Sequence, residues 1–202
     1  LELSNLQRQR IFSEEDIDKP KASGLAERLK KINSSIKIIP EVVDFNPTNA
    51  ENLIKGFDLV IDGLDNMYSR FILNEACVKL GIQWVYGSVI RNTGYVSFID
   101  TEKNCLNCFM KILPTRTETC ETSGVTNSVT SLISAMQVNE ALKYLGSQKY
   151  TLFRQLLYID LERIIIKSFT VNKDPDCRVC SLKKFDFLDR KKASGTISLC
   201  GD

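Results

Sequence analysis

Two C-x-x-C pairs, Cys105-Leu106-Asn107-Cys108 and Cys177-Arg178-Val179-Cys180, set the firmest limit on the shape this chain can take. A C-x-x-C turn lets two thiolates meet one tetrahedral metal, and two such turns complete a four-sulfur site. Closed coordination leaves no position for water, so the pattern points to structure rather than catalysis. The spacing therefore predicts a zinc ion that staples a long aperiodic loop, residues 101–122, to the C-terminal end. Iron–sulfur is the rival for four thiolates. A thioredoxin-type redox pair is the third reading, although such a pair would not come twice.

The remaining composition narrows the chemistry. The 202 residues contain seven cysteines and no histidine. Every histidine-based triad and every histidine metal ligand is thereby excluded. Proton transfer and ion binding fall to carboxylates, Lys, Tyr, Cys, water or the substrate. Seven cysteines without secretory features suit a reducing compartment, and a cytoplasmic location is expected. No apolar run approaches the ~20 residues of a membrane span, and no membrane partner is expected. A net charge of +2 gives no argument for direct nucleic-acid binding.

The alternation of helical and strand patterns predicts an α/β fold with a Rossmann-like, mostly parallel sheet and antiparallel additions. A helix is expected from about Pro20 through Ile32, with Asp18 as its cap. A strand follows over 36–43, disturbed by Pro40, and then a short helix capped near Thr48. The apolar run Leu59 to Asp62 reads as a buried strand, followed by Gly63, Asp65 and Asn66. A helix over 66–80 stops at Gly81, a common residue just past a helix end. Strands over 83–89 and 94–100 are joined by a turn at residues 91–94. A helix over 128–145 faces Val129, Leu132, Ile133, Met136, Ala141, Leu142 and Leu145 to one side and ends at Gly146. Strands over 155–160 and 163–171 are joined by a tight turn at Leu161 and Glu162. The domain is read as residues 1–181, with 182–202 as a charged tail.

In open α/β sheets, ligands bind past the carboxyl ends of the strands. Asp65 stands there, as a metal or ribose ligand or as the cap of the next helix. Arg8 and Lys21 are ordinary surface charges taken singly. Together with Asp65 they would supply cations for phosphate oxygens and a carboxylate for magnesium, which nucleotidyl transfer requires. Among the other cysteines, Cys77 reads as a core residue. Cys120 sits in a polar loop where a helix N-terminus lowers a thiol pKa and Glu118 and Glu121 raise it.

The residues Ser4-Asn5-Leu6-Gln7-Arg8-Gln9, Lys19-Pro20-Lys21-Ala22, Asp62-Gly63-Leu64-Asp65-Asn66, Cys105-x-x-Cys108, Cys120 and Cys177-x-x-Cys180 occur in family order. Over residues 1–181 the chain resembles the MoeB/ThiF/HesA group, prokaryotic relatives of ubiquitin-activating enzymes. Arg70, Asn74 and the helix carrying Gln137 and Glu140 share the resemblance. It implies adenylation, with ATP, of the C-terminal carboxylate of a ubiquitin-like sulfur-carrier or modifier protein ending in Gly-Gly. By that likeness Asn5, Arg8, Gln9 and Lys21 contact ATP phosphates or ribose, and Asp65 holds Mg2+. Asn66 and Asp62 shape the same pocket. Cys120 matches a loop cysteine that takes the acyl group as a thioester or joins sulfur transfer. A homodimer is the family's usual form. The family's glycine-rich nucleotide loop is expected ahead of Leu1, so residues 1–202 alone are expected to bind ATP poorly.

Two other readings compete. A nicotinamide-dependent dehydrogenase shares only the sheet pattern, and a fold does not imply a function. A zinc-stapled module that docks a ubiquitin-like protein without activating it is the non-enzymatic alternative.

Overall fold

The computed structural model describes residues 1–110, 124–147 and 150–189, so Cys120 lies outside the described residues. The chain forms two units, Leu1–Asp44 and Phe45–Asp202.

In the first unit two single 3-10 turns, Leu3–Asn5 and Glu14–Asp16, precede helix α1, Lys21–Ile32. Its cap is Pro20, whose missing N–H costs nothing where no intrahelical partner exists. Asp18, the expected cap, instead takes a left-handed turn conformation with φ 66°. Asp16 ties the preceding turn to the helix. Its carboxylate accepts from the Ser13 N–H at 3.0 Å and from Arg28 at 2.6 Å. The Ser13 hydrogen bond, ahead of Arg28, holds that carboxyl down to about 2.

The strand expected over 36–43 does not form. Ile36, Ile39, Val42 and Val43 are all exposed, and residues 37–46 have no regular structure. Pro40 offers no N–H to a ladder, and no other strand stands in this unit among the described residues.

The second unit holds α2 (Ala50–Ile54), β1 (Leu59–Ile61), α3 (Met67–Leu80), β2 (Gln83–Ile90), β3 (Thr93–Ile99), α4 (Asn127–Ser147), β4 (Gln155–Asp160), β5 (Ile165–Thr170) and α5 (Asp186–Asp189). Thr48 lies in the turn ahead of α2 rather than at its cap, which is Asn49. The strands form one sheet in the order β1-β2-β3-β4-β5. The α/β class with a mixed sheet is as expected. Among the described residues β1–β2 is the parallel pairing, and β2–β3, β3–β4 and β4–β5 are antiparallel. The antiparallel part is therefore the larger.

Strand alternation sends side chains to two cores. Trp84, Tyr86 and Ile99 pack with Phe71, Ile72 and Ala76 of α3. Val85, Val96 and Phe98 pack with Val129, Ile133 and Ala141 of α4. The sheet thus lies between α3 and α4. β1 departs from the two-sided burial expected of it: Ile61 is 47% exposed, because β1 is an edge strand among the described residues.

α4 runs to Ser147, past Gly146, and turns Val129, Leu132, Ile133, Met136 and Ala141 to the core as expected, but not the last two apolar residues of the pattern. Leu142 and Leu145 are exposed, whereas Gln137 and Glu140 are buried. Glu140 earns that place by accepting from the Thr151 and Leu152 N–H groups at 2.6 and 2.8 Å, which anchors the approach to β4. The β4–β5 turn is longer than two residues: β5 begins at Ile165, and Ile164 carries φ 53°.

Past Ser181, in the segment read as a charged tail, α5 packs on α3. Phe187 stacks on Phe71 with centroids 5.0 Å apart, and Leu188 is buried. The Glu75 carboxylate accepts from the Phe187 and Leu188 N–H groups, each at 2.9 Å. Burial, with Asp186 and Asp189 adding to it, pushes Glu75 up from 4.5 to about 7. The folded chain therefore holds this proton more tightly than the unfolded chain does. Its contribution to stability is full below pH 4.5 and is lost as pH rises through about 7. Glu75→Gln keeps an acceptor for both N–H groups and removes the charge. Urea unfolding midpoints of the variant are expected to stay flat across that window, where those of the parent fall; an equally steep fall in the variant would contradict the assignment.

Candidate active site and metal centre

β1 ends where its backbone last pairs with β2, the Asp62 N–H donating to Val85 O at 3.0 Å. The next residues leave the sheet and are held by a buried ion pair. Arg70, one turn into α3, donates from Nε to Asp62 Oδ2 at 2.8 Å. Its Nη2 donates to Gly87 O at 2.9 Å and also to Leu64 O. Asp62 in turn accepts from the Leu64 N–H at 2.8 Å and the Gly87 N–H at 3.4 Å. Burial pushes the Asp62 carboxyl up, against the pull of Arg70 and these amides. Burial likewise opposes the Arg70 charge, but Asp62, with Tyr86 and Asp65 adding to it, holds the guanidinium above its ordinary range. We read the pair as ionised, because the carboxylate meets three N–H donors.

Gln137 of α4 closes the arrangement from the opposite face of the sheet. Its Nε2 donates to Asp62 O at 2.9 Å and Val85 O at 3.1 Å. Gly87 makes this approach possible: a Cβ there would lie 2.4 Å from the Gln137 carboxamide. A cavity of ≈ 320 Å³ opens beside the ion pair, its lining including Asp62, Gly63, Arg70, Ser88, Thr130 and Ser134.

Asp65 follows on this scaffold, exposed, just beyond the carboxyl end of β1. Asn66 is the cap of α3, its Oδ1 accepting from the Ser69 N–H at 2.8 Å. Its Nδ2 donates to Asp65 Oδ1 at 3.1 Å. The cap role is thus taken by Asn66, and the Asp65 carboxylate faces solvent.

The other residues singled out lie in the first unit. Asn5 is buried in the first 3-10 turn, where its Oδ1 accepts from the Glu2 N–H at 3.3 Å. Arg8 is half-buried and donates to Ser4 O at 3.0 Å. Gln9 Oε1 is buried with no hydrogen-bond partner among the described residues. Lys21 is exposed at the first position of α1. A cation there opposes the helix dipole, a placement that an anionic ligand would relieve.

The candidate metal centre is built by the two cysteine turns. Cys105 and Cys177 sulfurs are 3.5 Å apart, Cys108 and Cys180 also 3.5 Å, and Cys105 and Cys108 4.0 Å. All four lie within 4.8 Å of one another. Four sulfurs at about 2.3 Å around a tetrahedral zinc stand about 3.8 Å apart, so the donor set fits the ion. Hydrogen bonds with Cys105 hold the Cys108 and Cys177 thiols below the ordinary thiol range. Asn74, fully buried on α3, fixes the first turn from behind. Its Oδ1 accepts from the Leu106 N–H and its Nδ2 donates to Asn107 Oδ1, both at 2.9 Å. Arg178, inside the second turn, pairs with Asp186 of α5 at 2.7 Å.

The residues whose parts the sequence left unspecified are Arg70, Asn74, Gln137 and Glu75. Their signal was a polar side chain at a core position of a helical pattern, which marks a residue with a buried partner but does not name it.

The model of the ThiF family matches residues 1–179, and the chain belongs to that family. It is 32% identical over 205 residues to the sulfur carrier protein ThiS adenylyltransferase of Bacillus subtilis, covering 100% of this chain and 61% of that one. It is 27% identical over 197 residues to the SAMP-activating enzyme E1 of Haloferax volcanii, covering 94% and 73% of the two chains. Among solved structures, Escherichia coli MccB with ATP superposes with a TM-score of 0.77 at 21% identity, covering 89% of this chain and 56% of MccB. The chain thus spans about three-fifths of the length of the Bacillus relative.

Proposed function

We propose that this chain carries the site of an ATP-dependent adenylyltransferase acting on the C-terminal Gly-Gly carboxylate of a ubiquitin-like sulfur-carrier or modifier protein. The observation that carries the reading is Asp65, an exposed carboxylate past the end of β1 in a member of a family with adenylyltransferases among its members. The carrier's carboxylate oxygen forms a bond to the α-phosphorus of ATP. The bond from that phosphorus to the bridging oxygen breaks, and pyrophosphate leaves with the electron pair. A carboxylate is a nucleophile at neutral pH, so a chain without histidine needs no base for this step; it needs positioning and charge neutralisation.

In this reading Asp65 holds the Mg2+ that accompanies ATP, an oxygen ligand suited to that ion. Arg8 and Lys21 offset the charge on the phosphates. Asn5, Gln9 and Asn66 contact phosphate or ribose. The adenylation domain is residues 1–181, and the four-cysteine centre holds zinc as a structural ion. Cys120 takes the acyl group or joins sulfur transfer after adenylation. A homodimer in the cytoplasm accords with the family resemblance and with the cysteine content. No helix among the described residues is long and apolar enough to cross a membrane.

Exchange of labelled pyrophosphate into ATP, measured on the full-length protein, tests the reading. Exchange is expected only when a carrier ending in Gly-Gly is supplied, and a carrier lacking those glycines should give none. Cys120→Ala is expected to keep the exchange and to lose the step that follows it. Absence of carrier-dependent exchange would leave the docking module as the better account.

A further inference from the structure

The two peptide groups flanking Leu64 are both held by one ion pair. Ahead of Leu64, its N–H donates to Asp62 Oδ1 at 2.8 Å. Behind it, its carbonyl accepts from Arg70 Nη2. That second peptide is the one that leads into Asp65. Arg70 also grips Gly87 O on β2 at 2.9 Å, so the same guanidinium refers the Asp65 backbone to the sheet. Gln137 holds Asp62 O ahead of this segment and Asn66 meets the Asp65 side chain after it, while Gly63 between them has no neighbouring atom within 4 Å of where a Cβ would stand. A buried ion pair is weak evidence for stability, since apolar side chains of similar volume usually serve as well. What an apolar pair lacks is the fork of donors that fixes two carbonyls and a carboxylate at once.

We propose that Arg70 is the positioning residue for Asp65, holding the Leu64–Asp65 peptide so that the carboxylate is set to receive the divalent cation. This rests on the reading of Asp65 as a magnesium ligand. Lysine keeps the charge opposite Asp62 but has one nitrogen, which cannot serve Asp62, Leu64 O and Gly87 O in the same geometry. Arg70 itself stays off the reacting atoms; it acts through Asp65.

The test, on the full-length protein, compares the parent with Arg70→Lys, and with Asp62→Asn/Arg70→Gln, which removes both buried charges in case the single variant does not fold. Two quantities are read in each. One is deuterium exchange of the Leu64–Asn66 amides, independent of activity. The other is the Mg2+ concentration for half-maximal carrier-dependent pyrophosphate exchange. In the folded variant, amide exchange is expected to quicken and the Mg2+ midpoint to rise, each about tenfold. Excess Mg2+ is expected to restore the rate, and the KM for carrier is expected to stay as in the parent. A purely structural role would lower the rate at every Mg2+ concentration without moving the midpoint. Parent activity with an unmoved midpoint in the variant overturns the positioning role alone. A parent without carrier-dependent exchange overturns the adenylation reading, and this proposal with it.

Discussion

Asp65→Ala is expected to lower carrier-dependent ATP–pyrophosphate exchange by about a hundredfold or more, the scale of losing a preorganised electrostatic contact in a transition state. The same change should leave the fold alone. The Asp65 side chain is exposed, and its contact with Asn66 Nδ2 at 3.1 Å is dispensable to a cap that Asn66 makes through its other atom. Surface substitutions of that kind move stability by about 0.5 kcal/mol or less. A large loss of rate with an unchanged melting temperature is therefore the signature to look for. Asp65→Asn keeps the shape and one oxygen donor, so it should fall between parent and alanine and respond to added Mg2+. Exchange at the parental rate in Asp65→Ala would remove this residue from the chemistry and return it to a surface role.

Cys177→Ser is expected to have the largest effect on stability. Cys105 and Cys177 are 72 residues apart in sequence and their sulfurs 3.5 Å apart in space. Closing a loop of that length by a covalent bridge removes about 4 kcal/mol of chain entropy from the unfolded state, and a metal held by both turns acts on the same term. The oxygen of serine is a poor partner for a soft four-sulfur site. Metal analysis is expected to give about one zinc per parent chain and little in the variant. Thermal unfolding is expected to fall by about 10 °C or more, the shift that several kcal/mol produces in a domain of this size. Visible charge-transfer absorption in the parent would favour an iron–sulfur cluster over zinc. Equal metal content in parent and variant would remove Cys177 from the ligand set.

What the sequence made legible follows from local physics. The cysteine spacing, the left-handed Gly81 that ends α3, and the β2–β3 hairpin each depend on a few neighbouring residues. Asp65 could be placed at the strand end, but its choice between cap and ligand depended on where the Asn66 side chain went. Non-local partners decided the rest. Val42 and Val43 have strand-forming side chains and no strand to join among the described residues. Leu142 and Leu145 continue the apolar stripe that Val129, Ile133 and Ala141 bury, yet they stay exposed, whereas Gln137 and Glu140 turn inward to reach the end of β1 and the chain before β4. α5 looked like charged tail because its anchor, Glu75, lies 112 residues away from Phe187 in sequence.

Asn66, Arg70 and Asn74 recur at four-residue intervals along α3, so they occupy one stripe of that helix. The first caps the helix beside Asp65, the second grips the end of β1, and the third holds the turn between Cys105 and Cys108. At 1.5 Å per residue, the stripe works as a ruler of about 12 Å from the candidate reaction centre to the metal turn. Its length is fixed by peptide geometry and owes nothing to the loops. Loop insertions elsewhere leave that measure untouched, whereas one residue added between Arg70 and Asn74 would rotate Asn74 about 100° off the stripe and away from the turn it holds. The tolerance for change in this chain is therefore uneven by construction: loose along its connections, unforgiving along one side of a single helix.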